Sequence, residues 1–68
     1  MNDHSLTTAS TLELLLLNQE AIRAALEELS LWVSHRGSTA THDNVMTALA
    51  TLDLNAEAIS SALNRLRS

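Results

Sequence analysis

Apolar residues recur along the first half of the chain in alternating steps of three and four: Leu12, Leu15, then Ile22, Leu26, Leu29 and Val33, with Gln19 filling one position of the series. The second half repeats the rhythm at Val45, Leu49, Leu52, Ala56, Ile59, Leu63 and Leu66. Steps of three and four keep a residue on one side of a helix, and a sustained run of them marks a helix–helix seam. The pattern therefore predicts two helices, at about 10–35 and about 41–67, joined by a turn at about 36–40. Residues 1–9 are polar and aperiodic and are expected to form a disordered N-terminal tail.

The punctuation agrees with this division. Ser10 and Glu13 fit the S-x-x-E capping box at the start of the first helix. Arg36 is placed to favour the negative end of that helix, and Gly37, the only glycine, suits the left-handed position just past it. Ser38, Thr39 and Thr41 compete to cap the second helix, with Asp43 expected in its first turn and Arg65 and Arg67 near its end. Folding the chain at Gly37 mates the two seams in reverse order: Val33 with Val45, Leu29 with Leu49, Leu26 with Leu52, Ile22 with Ala56, Gln19 with Ile59, Leu15 with Leu63 and Leu12 with Leu66. The expected fold is all-α, an antiparallel two-helix hairpin. Gln19 places an amide in the seam, either to fix its register or to bend out to solvent.

The first helix carries more leucine than one seam needs. Leu14, Leu17, Ala21, Ala24 and Leu31 form a second heptad stripe, interrupted by Glu28 and flanked by Glu13, Glu20 and Glu27. The second helix has no equivalent, with Leu54 its one large apolar outlier. A hairpin covers one side of its first helix, so the stripe calls for another chain. Three leucines in each of two subunits would contribute about 9–18 kcal/mol, against an association cost of about 4–15 kcal/mol. The expected outcome is a homodimer, a four-helix bundle held by Leu14, Leu17, Ala21, Ala24 and Leu31, with Leu16, Trp32 and Met46 as further contributors. A different protein is the second candidate partner. Trp32 reads as a cap over Val33 and Val45 or as an interface anchor.

Composition sharpens these expectations. There is no Cys and no Pro, so disulfides cannot staple a chain of 68 residues, and regular packing or oligomerisation must do so. The net charge is −4 with four Arg and no Lys, which disfavours phosphate backbones and anionic lipid. No basic stretch precedes the apolar run and no span is long enough for a bilayer, so a cytoplasmic protein without membrane contact is expected.

Candidate chemistry is sparse. His35 and His42 flank the turn beside Asp43, and the Met-Asn-Asp-His start could in principle hold copper, but neither set has geometry fixed by its surroundings, so no metal or cofactor is expected. No nucleophile motif, phosphate loop or paired acid and base is present, so no enzymatic activity is expected. The architecture is similar to that of the Rop family, short helical hairpins that dimerise into four-helix bundles. That likeness implies a nucleic-acid-binding alternative, which the net charge and the absence of Lys disfavour. The expected function is that of a self-associating hairpin working through protein contacts, as a regulator or an assembly adaptor.

Overall fold

The computed structural model describes residues 2–68 and consists of two helices packed antiparallel, α1 over Asp3–His35 and α2 over Thr39–Arg67. At 1.5 Å per residue the 33 residues of α1 run about 50 Å, and the molecule is a rod with extents of 52 × 15 × 11 Å. No helix is long and apolar enough to cross a membrane among the described residues.

The start of α1 corrects the expected tail. Asn2 is its N-cap, its Oδ1 accepting from the Ser5 amide at 2.8 Å, and Asp3 places a negative charge in the first turn. Ser10 lies inside the helix instead of capping it, and Ala9 is buried. The extra turns form because Asn2 satisfies an amide at the start and Ala9 packs in the interhelical contact. Met1, the first residue of the expected tail, lies outside the described residues.

The turn at Arg36–Ser38 behaves as its glycine predicts. The Gly37 amide donates to the Ser34 carbonyl (2.9 Å) and the Ser38 amide to the Val33 carbonyl (3.2 Å). This is the Schellman arrangement, which requires a left-handed residue between the two bonds, and Gly37 has φ +98. Ser38 is the residue that caps α2, though its Oγ donates to Thr41 Oγ1 (2.8 Å) instead of to a backbone amide. Because α2 begins at Thr39, Asp43 falls beyond its first turn.

The seam of α2 is as predicted: Leu49 and Leu63 are buried, and Val45, Leu52, Ala56, Ile59 and Leu66 half-buried. The seam of α1 is not. Leu12, Gln19 and Val33 stay at the interface, but Leu15, Ile22 and Leu29 are exposed at 56%, 57% and 60%, and Leu26 at 39%. Ala9, Leu16, Arg23 and Ser30 take the inner column instead, all at least half-buried. The helix is turned about its axis by about 50°, one column of a heptad. Small side chains at Ala9 and Ser30 admit α2 closely there, and Arg23 reaches across to Asp53 at 2.5 and 3.1 Å.

The register also differs. Gln19 Nε2 donates to the Leu52 carbonyl (2.9 Å), where Ile59 was the expected neighbour, and Ser30 Oγ lies 2.8 Å from His42 Nδ1. The early start of α2 sets its residues farther from the turn than expected, which is the direction of this slide.

Candidate interaction surface

The surface is built mainly on α1. Each column of a helix repeats every seven residues in a two-helix seam, so the columns of α1 can be read in turn. The inner columns touch α2. The next holds Leu15, Ile22 and Leu29, and beyond it lie Ala25 and Trp32. The outermost pair of columns holds the second stripe, in which Leu14, Leu17 and Leu31 are 62%, 54% and 46% exposed and Ala21 and Ala24 are exposed too. The stripe thus stands clear of α2. Leu16 does not join it: that side chain is half-buried on the side facing α2. Trp32 is exposed, and Met46 is exposed on α2.

Trp32 is 55% exposed. The Arg36 guanidinium stacks over its ring at 4.8 Å from the centroid, a cation–π contact one turn apart on the helix. With Ala25, Glu28 and Leu29, the ring borders an open apolar trough of about 510 Å³ on the outside of α1.

The charged groups gather elsewhere. Arg23 bonds both Asp53 on α2 and Glu27 one turn along α1, and Arg67 reaches Glu13 at 2.6 Å. The hydrogen bonds it donates to Asp53 and then to Glu27 raise the Arg23 pKa further, so it stays charged at any pH the protein tolerates. The glutamate line therefore supplies one ion pair between the helices, through Glu13, and one within α1, through Glu27. Sequence reasoning missed the Arg23–Asp53 pair because it placed Arg23 outside the seam.

His42 turns to Ser30, not to His35, and no group of three metal-ligating side chains occurs among the described residues. Ser30 with His42 has the elements of a nucleophile and base. Ser30 is 3% exposed, however, and its Oγ also lies 3.4 Å from the His42 carbonyl. A hydroxyl so enclosed serves to tie the helices near the turn. Comparison with protein-family models, curated proteins and solved structures finds no match to this chain.

Proposed function

We propose that this protein is a small helical hairpin that self-associates and acts through protein contacts, as a regulator or an assembly adaptor, without chemistry of its own. The carrying observation is the imbalance between core and surface. Ala9, Leu49 and Leu63 are the buried apolar residues described, whereas eleven large apolar side chains are exposed. Size scaling gives a compact 7.4 kDa monomer about 4,200 Å² of accessible surface. This hairpin has 5000 Å². The excess of about 800 Å² is close to what one partner buries in a standard interface.

The Rop-like alternative finds no support in the arginines. Arg23 and Arg67 are engaged with carboxylates, Arg36 lies over Trp32, and Arg65 donates to Ser61. They form no basic stripe.

Sedimentation equilibrium over a concentration series tests the proposal. The expected mass at micromolar concentration and above is twice 7.4 kDa. A folded monomer at every concentration overturns self-association.

A further inference from the structure

The hairpin has two broad faces, and they differ. All three ion pairs lie on one of them: Arg23 with Asp53, Arg23 with Glu27, and Arg67 with Glu13. The opposite face presents Leu15, Ile22, Leu26 and Leu29 from α1 beside the half-buried Leu52 and Ile59 from α2. From Leu12 to Val33 on α1 and from Val45 to Leu66 on α2, the columns of this face hold no Asp or Glu, in a chain with eight acidic residues, and Arg65 at its edge is their one charged side chain. We propose that this acid-free broad face, made by both helices, is where a second copy of the chain docks, and that the outer stripe around Leu17 is not the primary contact. The inference rests on the self-association reading and specifies its surface.

Three observations favour a second copy on this face. First, the apolar seam of α1 points about 50° away from α2 toward it, and Val45, Leu52, Ile59 and Leu66 of α2 flank the same side. Seams tilted off the line between two helices aim at a centre shared with further helices, as in a bundle of four. Second, the face runs the 52 Å length of the rod, so a second hairpin laid along it can bury apolar side chains of both helices over many turns. Third, each copy carries a net charge of −4. Docking through the outer stripe would bring Glu20 and Glu28, which stand in no ion pair among the described residues, toward acidic groups of the partner, and facing like charges oppose association. Docking through the acid-free face holds the acidic groups outside.

Two pairs of variants test this. Ile22→Glu is expected to weaken the dimer by at least about thirtyfold, the effect of losing a central anchor, while Leu17→Glu changes it severalfold at most. Because the hairpin could unfold when its dimer is lost, cysteine labelling of otherwise unperturbed dimers gives a second readout. The chain has no Cys, so Ile22→Cys and Leu17→Cys each introduce one thiol. At concentrations where the parent is dimeric, the thiol at position 22 is expected to react with a maleimide at least about tenfold more slowly than the one at 17. A dimeric parent with the thiol at 17 protected and that at 22 reactive overturns the inference and leaves self-association standing. A parent that is monomeric throughout overturns both.

Discussion

At the scale of single residues, Gly37, Ser30 and Gln19 each hold a defined place between the helices. Gly37 supplies a left-handed φ that closes the Schellman bonds, and a Cβ built there meets nothing within 4 Å. Gly37→Ala therefore costs backbone strain alone, about 1–2 kcal/mol, to be read from chemical denaturation at fixed protein concentration. Ser30 is enclosed against His42, and Ser30→Ala leaves the imidazole nitrogen without its hydroxyl partner, a loss of about 1 kcal/mol in the same measurement. The amide of Gln19, bonded to the Leu52 carbonyl, occupies the seam by reaching across it. Of the two fates open to it in the sequence, the inward one holds, because the α2 backbone lies within reach of its side chain.

At the scale of the helices, α2 is one-sided and α1 is not. Leucines on most sides of α1 leave the periodic signal ambiguous about which column faces inward, whereas α2 offers one apolar stripe and uses it. Leu49, 1% exposed, sits at the heart of the contact. Leu49→Ala is expected to destabilise the hairpin by about 2–4 kcal/mol, within the range for large-to-small changes in cores. Leu54→Ala on the exposed back of α2 should stay within about 0.5 kcal/mol. Equal effects at the two positions in a denaturation series would contradict the observed orientation of α2.

At the scale of the whole molecule, the rod is too thin to enclose its own apolar residues. Two helices side by side share one strip of contact, while a four-helix arrangement gives each helix two neighbours. Stability coupled to association depends on concentration, so the unfolding midpoint of a dimer rises as protein is added. Thermal melts at increasing concentration should show that rise, and a constant midpoint would speak against coupling. Salt gives an independent check. Two chains of net charge −4 repel, and raising ionic strength screens the repulsion, so added salt should tighten the dimer. An interface depending on intermolecular ion pairs would weaken instead.

The sequence alone determined the two helices, the glycine turn and the α2 seam, because each rests on local chemistry: helix-forming residues, three-and-four spacing, and a position requiring positive φ. It also showed that α1 carries apolar surface on more sides than one helix can cover. The Asn2 cap carries no periodic signal, and the polar, aperiodic residues 1–9 read as a tail. The tertiary structure decided how α1 is rotated and how the two helices are aligned lengthwise. Neither is a local property. Rotation follows from contacts between distant residues, the Arg23–Asp53 pair and the close approach at Ala9 and Ser30, which carry no periodic signal. Alignment follows from where α2 starts, and a start two residues earlier than expected moves every layer along the rod. The candidate surface changed for the same reason: turning α1 by one column brought Leu15, Ile22 and Leu29 out of the expected seam and onto a face free of acidic residues.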